Sequence, residues 1–166
     1  MAIETAKPKT ACCFSGHRKI PAQIQASLRQ RLIDGIVYLY SNMNITTFYT
    51  GGALGFDTLA AEAVIECRKQ YPDIRLLIIV PCADQAAKWP MDDQIRYEHT
   101  KEAADEVVCL AEHYWSGCMH QRNQYLVDQS SVCICYLTEA VGGTAYTVNY
   151  ARKQGLKIYN LAKPRA

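Results

Sequence analysis

Between Arg75 and Pro81 the chain reads Leu-Leu-Ile-Ile-Val with no polar break. A strand with one face in water alternates apolar and polar side chains. Five apolar residues in succession therefore ask for cover on both faces, the setting of a parallel sheet. Other short runs fit that setting: Ala11–Phe14, Ile45–Thr50, Glu106–Leu110, Val132–Leu137 and Lys157–Leu161 read as strands. Between them the periodicity changes. Ile24, Leu28, Leu32, Ile36 and Leu39 follow Pro21 at helical spacing, and Leu59, Ala60, Ala63, Val64 and Cys67 mark one helix face over 58–70. Helices are also predicted over 92–103, 119–130 and 145–154, the last stopped by Gly155, while 82–90 is irregular and polar. Six strands separated mostly by helices predict an α/β fold with a doubly wound, mainly parallel sheet and right-handed crossovers.

At 166 residues the chain is expected to form one domain, 1–166, with a polar N-terminal extension over about 1–10. Eighteen Lys and Arg against sixteen Asp and Glu leave a net charge of +2, and the basic residues occur singly or in pairs. Nothing in that pattern argues for nucleic acid as a partner. No apolar run approaches the ~18 residues of a membrane span, so no membrane is expected. The N-terminus shows no secretory h-region, which makes the cytoplasm the expected compartment. The eight cysteines contain no C-x-x-C pair and are expected to be reduced, small buried hydrophobes. Cys109, His113, Cys118 and His120 match no zinc spacing, and Cys109 closes an apolar segment as a buried residue would. No metal is expected. Cys82, beside Pro81 at a strand end, is the one cysteine placed for a redox role.

Three strand ends carry unusual residues: Ser15-Gly16-His17-Arg18, Gly51-Gly52-Ala53-Leu54-Gly55-Phe56-Asp57, and Gly142-Gly143-Thr144. In an open parallel sheet the carboxyl ends of the strands share one rim, and ligands bind there beside the reversal in strand order. Glycines let backbone amides approach a ligand, and a helix starting behind them adds free N–H groups and a positive dipole end. Neither glycine pair fits the G-x-G-x-x-G or P-loop pattern, and Asp57 and Thr144 stand where helix N-caps are expected. Three such loops on one rim favour a phosphate-bearing small molecule. Arg122 and Asn123, opening the helix over 119–130, are expected to reach the same rim, with Asp128 a candidate for a ribose hydroxyl. His17 and Asp57 are the candidate acid–base groups. Trp89, Tyr114 and Trp115 could wall a base or pack the core. The loop reading predicts that Gly52→Asp abolishes binding in a folded protein.

These motifs, in this order and spacing, resemble the YpsA-like family of small bacterial proteins, part of the SLOG superfamily with the DprA (Smf) and LOG-type domains. The resemblance runs from about Cys12 to Leu161, through Arg122-Asn123 to Asp128 and from Gly142-Gly143-Thr144 to Tyr146-Thr147. It implies a Rossmann-like three-layer α/β/α sandwich and a site for a nucleotide or nucleotide derivative of the ADP-ribose or NAD kind. It implies no settled activity. LOG-type phosphoribohydrolases carry a P-G-G-x-G-T-x-x-E motif. Here Ala145, Tyr146 and Asn149 stand where that motif has Gly, Thr and Glu. Asn149 cannot ionise, so the hydrolase carboxylate is missing at that place, and Glu62 would have to turn back to the rim to replace it. The Gly51–Asp57 stretch resembles the glycine-rich loop of DprA, which binds single-stranded DNA. The basic, aromatic stripe such binding needs is absent from this sequence. The expectation is therefore a binding protein whose phosphates lie on Gly51, Gly52, Gly55, Gly142, Gly143 and Thr144, with Arg18 or Arg122 balancing their charge. A hydrolase or transferase acting on such a ligand, or a regulatory or single-stranded-DNA-binding protein, is the alternative. A homodimer is also expected.

Overall fold

A computed structural model describes residues 9–163; most of the expected N-terminal extension lies outside that range. The order of elements is β1 (Ala11–Gly16), a 3-10 turn (Ala22–Ile24), α1 (Gln25–Met43), β2 (Thr47–Thr50), α2 (Phe56–Gln70) and β3 (Arg75–Val80). Then follow α3 (Met91–Ala103), β4 (Glu106–Cys109), α4 (Cys118–Asp128), β5 (Val132–Tyr136), α5 (Gly143–Lys153) and β6 (Lys157–Asn160). The strands form one sheet in the order β4-β3-β2-β1-β5-β6, and every neighbouring pair is parallel. From β1 the chain winds outward through β2, β3 and β4. It then returns to the other side of β1 with β5 and β6. The strand order thus reverses between β1 and β5, whose register sets Gly16 beside Tyr136.

Each inner strand divides its side chains between two cores. Phe14, Phe48 and Ile78 pack with Leu32 and Ile36 of α1 and with Phe56 and Val64 of α2. On the other face Cys13, Leu77, Ile79, Cys133 and Cys135 pack with Leu126 and Val127 of α4 and Val148 and Ala151 of α5. The apolar run of β3 is buried from Leu76 to Val80, because helices cover it on both sides. This is a doubly wound, Rossmann-like α/β/α sandwich. Three of the four residues of β4, Cys109 among them, are exposed. The expectation of a buried Cys109 is thus corrected: β4 is an edge strand, bonded on one side only. Among the described residues no helix is long and apolar enough to cross a membrane.

The helices α2 and α5 begin two residues earlier than spacing alone predicts. Their N-caps are Gly55 and Gly142, so Asp57 and Thr144 fall inside the first helical turn. N-capping does not account for either residue. Neither helix has a side-chain cap, which leaves the amides at the start of each to other partners.

Candidate functional site

At the reversal, a cavity of about 660 Å³ opens beyond the carboxyl ends of β1 and β5. Its wall joins the β1–α1 loop, the first turns of α2 and α5, the inner face of α4 and the β5–α5 loop. Of the residues predicted for the site, Ser15, Gly16, His17, Arg18, Ala53, Asp57, Arg122, Asn123, Gly142, Gly143 and Thr144 line it. Lys19, Met119, Tyr136 and Glu139 line it as well and were not predicted. Tyr136 was within reach of sequence reasoning, since it ends the strand beside Gly16; the others depend on loop paths that no local pattern encodes.

The glycines of the rim serve two different purposes. A Cβ on Gly16 would overlap the Phe56 ring, and one on Gly51 would overlap the Arg122 guanidinium. Gly55, at φ 75°, lies against the backbone carbonyls of His17 and Arg18, and the Phe56 amide donates to the His17 carbonyl at 3.1 Å. Gly52, at φ 67°, is closed in by Ile78, Gln85 and Tyr97. Gly51, Gly52 and Gly55 are therefore clearances between segments of the protein, and none of them lines the cavity. Gly52→Asp would strain the fold rather than only block a ligand, so it cannot serve as the test of the loop. Gly142 and Gly143 differ: nothing lies within 4 Å of a Cβ placed on either. They leave the N-terminus of α5 bare toward the cavity.

Arg122 is 4% exposed and sits in the second turn of α4, rather than opening the helix as predicted. Its Nη1 donates to the Gly51 carbonyl at 2.5 Å and to Gln85 Oε1 at 3.4 Å, and its Nε donates to Asn123 Oδ1 at 2.8 Å. Among the described residues Nη2 has only the Met119 sulfur, at 3.8 Å. Among the described residues Arg122 makes no ion pair. Burial draws its pKa below the ordinary arginine value; Asp57 opposes that shift and Arg18 adds to it. The guanidinium's hydrogen bonds go to neutral acceptors, and the nearby Asp57 carboxylate, which makes no ion pair with it, offsets part of the positive field it turns to the cavity.

Asp57 is 7% exposed, and its Oδ2 accepts the Ala53 amide at 3.1 Å. Burial pushes its carboxyl above the usual aspartate value, against the pull of Arg122, the Ala53 amide, Arg18 and the Gly51 amide. Gln85, which the sequence left in an irregular loop, ties this region together. Its amide reaches the Gly51 and Gly52 carbonyls and the Tyr97 hydroxyl. His17 closes the other side: its Nε2 accepts the Thr138 amide at 3.0 Å, and its ring stands edge-on to Tyr136. That bond places the proton of a neutral His17 on Nδ1.

Other candidates lie elsewhere. Asp128, at the far end of α4, bonds the Tyr150 hydroxyl at 2.7 Å and borders a separate cavity of about 270 Å³ with Lys9, Ser130 and Gly155. Trp89 packs against the core beside Tyr97, and Tyr114 and Trp115 are exposed without lining the larger cavity. Glu62 pairs with Arg96 at 2.6 Å, and Asn149 is exposed on α5. Cys82 is buried, and burial, helped by Asp84 and Cys118, pushes its thiol up to about 12. A thiol so protonated is a poor redox nucleophile. Among the described residues no His, Cys, Asp or Glu group is arranged to hold a metal ion.

A family model described as the YspA SLOG family (YpsA) matches residues 2–162. The SPbeta prophage-derived protein YoqJ of Bacillus subtilis is 29% identical over 138 residues, covering 76% of this chain and 81% of its own length. The UPF0398 protein YpsA of the same organism is 26% identical over 166 residues, covering 96% and 89%. Two solved structures share the fold. One, described for its single-stranded DNA binding mode, is DNA processing protein A from Helicobacter pylori, with TM-score 0.65 and 18% identity. The other is DNA processing protein A from Streptococcus pneumoniae, with TM-score 0.66 and 17% identity. They cover 94% and 91% of this chain, which spans 66% and 49% of their lengths.

Proposed function

The chain belongs to the YspA SLOG family, and on that premise we propose that it binds a nucleotide or nucleotide derivative, of the ADP-ribose or NAD kind, between the ends of β1 and β5. The observation that carries this reading is Arg122: a buried guanidinium without an ion pair among the described residues, lining a cavity that the bare N-terminus of α5 also lines. Both features favour a negative charge, and the helix start offers amides aimed at it. Arg18 and Lys19 add positive charge at the wall. Tyr136 and the His17 ring supply flat, partly apolar surface for a base or sugar.

Calorimetric titration with ADP-ribose, NAD and adenosine mono- to triphosphates tests the reading. Saturable binding of at least one compound is expected. Gly143→Asp should weaken it by tenfold or more with an unchanged melting temperature, because the new carboxylate meets open space and an Asp in the first turn suits a helix. Equal affinity in Gly143→Asp contradicts the placement, and silence from every phosphate compound contradicts the reading itself.

A second reading, single-stranded nucleic acid, is favoured by the likeness to DNA processing protein A together with Arg18 and Lys19 beside the cavity. It predicts salt-dependent retention of an oligothymidylate where the free nucleotides fail.

A further inference from the structure

We propose that an anionic ligand enters this cavity together with one proton, taken up from solvent by the Asp57 carboxylate. This rests on the anion-binding reading above and adds the charge state in which the site closes on its ligand. Asp57 and Arg122 are both buried, both line the cavity, and make no salt bridge with each other. The Ala53 and Gly51 amides help hold the Asp57 charge in place, but the cations that do so, Arg122 on α4 and Arg18 on the β1–α1 loop, are the ones the ligand would engage. An anion arriving there occupies their field and faces a carboxylate that water barely screens.

The other titratable or charged groups around this wall are His17 and Lys19 on the β1–α1 loop, Tyr97 on α3, Cys118 on α4, Tyr136 at the end of β5 and Glu139 on the β5–α5 loop. His17 already accepts the Thr138 amide, and Tyr97 is bonded to Gln85. Glu62, on the same helix as Asp57, is paired with Arg96. Asp57 is the group that burial has already moved toward protonation. The step is balanced simply: the carboxylate gains a proton from buffer, and no other bond changes. The neutral acid then offers an O–H to the anion in place of a like charge.

Calorimetry with ADP-ribose, run in buffers of different ionisation enthalpy between about pH 5 and 8, counts the protons taken up. Its pyrophosphate bridge, esterified at both ends, has no ionisation in that range, so uptake reports on the protein. The expected result is uptake approaching one proton, with affinity falling toward tenfold per pH unit as pH rises. Asp57→Asn should remove the uptake and flatten the pH profile, while Glu62→Gln, on the same helix but outside the cavity, keeps both. Binding without uptake at any pH overturns the proposal and leaves the nucleotide reading standing, as does uptake that survives Asp57→Asn. Where ADP-ribose fails and NAD binds, the same count is made with NAD; failure of the wild type to bind ADP-ribose, NAD or any of the adenosine phosphates overturns the two together. Should Asp57→Asn not fold, carbon-13 NMR of the wild-type Asp57 carboxyl decides. Its titration midpoint should rise when ADP-ribose is added, and an unmoved midpoint overturns the proposal.

Discussion

Asp57 holds a carboxylate where water barely reaches it, and the consequence is measurable without any ligand. A carboxyl whose pKa is higher in the fold than in the unfolded chain binds more protons folded than unfolded across the interval between the two values. Its contribution to stability is complete below the unfolded value, near pH 4, and is lost as pH climbs through the folded one. Asp57→Asn keeps an oxygen for the Ala53 amide and has no charge to lose. Chemical denaturation should show its stability rising relative to wild type as pH increases above about 4, by at most about 1.4 kcal/mol per pH unit. A difference that falls over that interval contradicts the assignment. At this scale the sequence was informative about which residues matter and silent about why. It shows glycines at positions 51, 52 and 55 but not what fills the space their missing side chains leave. Arg122, Tyr97 and the His17–Arg18 backbone come from elsewhere in the chain.

Among the elements, α4 matters most to the site, because it carries a cation from one layer to the loop that follows β2. The Arg122 bonds to the Gly51 carbonyl and to Gln85 link three segments that local sequence leaves unconnected. Arg122→Met should therefore destabilise the fold by about 3 kcal/mol, since it strands a buried carbonyl and leaves Asp57 without its main counter-charge. Arg122→Lys should restore only part of this, because one ammonium cannot reproduce bonds made by Nε and Nη1 together. Urea denaturation of the three proteins checks both statements; a loss below about 1 kcal/mol for Arg122→Met contradicts them. The six strands and five α-helices of the described residues could be read from the sequence: β1, β3 and β5 are buried on both faces, β2 alternates buried Phe48 and Thr50 with half-buried Thr47 and Tyr49, and the helices bury one face. The first turns of α2 and α5 could not. They begin at glycines without side-chain caps, so no capping residue marks the start.

For the whole molecule, one topological fact places the site: the chain leaves β1 in one direction along the sheet and returns on its other side, which opens a crevice between β1 and β5. The alternation of strands and helices predicts that such a crevice exists, and the unusual residues at the strand ends predict which loops border it. The opposite end of the sheet, with Lys9, Asp128 and Gly155 around the smaller cavity, is the natural internal control. The most direct test is therefore an amide NMR titration of the wild-type protein with ADP-ribose, which reports where a ligand sits as well as whether it binds. Saturable shifts should gather at Gly16, His17, Arg18, Ala53 and Gly142 to Ala145, and leave Lys9, Asp128 and Gly155 still. Shifts confined to that smaller cavity, or none with ADP-ribose, NAD or the adenosine phosphates at saturating concentration, would contradict a nucleotide site at the β1–β5 crevice.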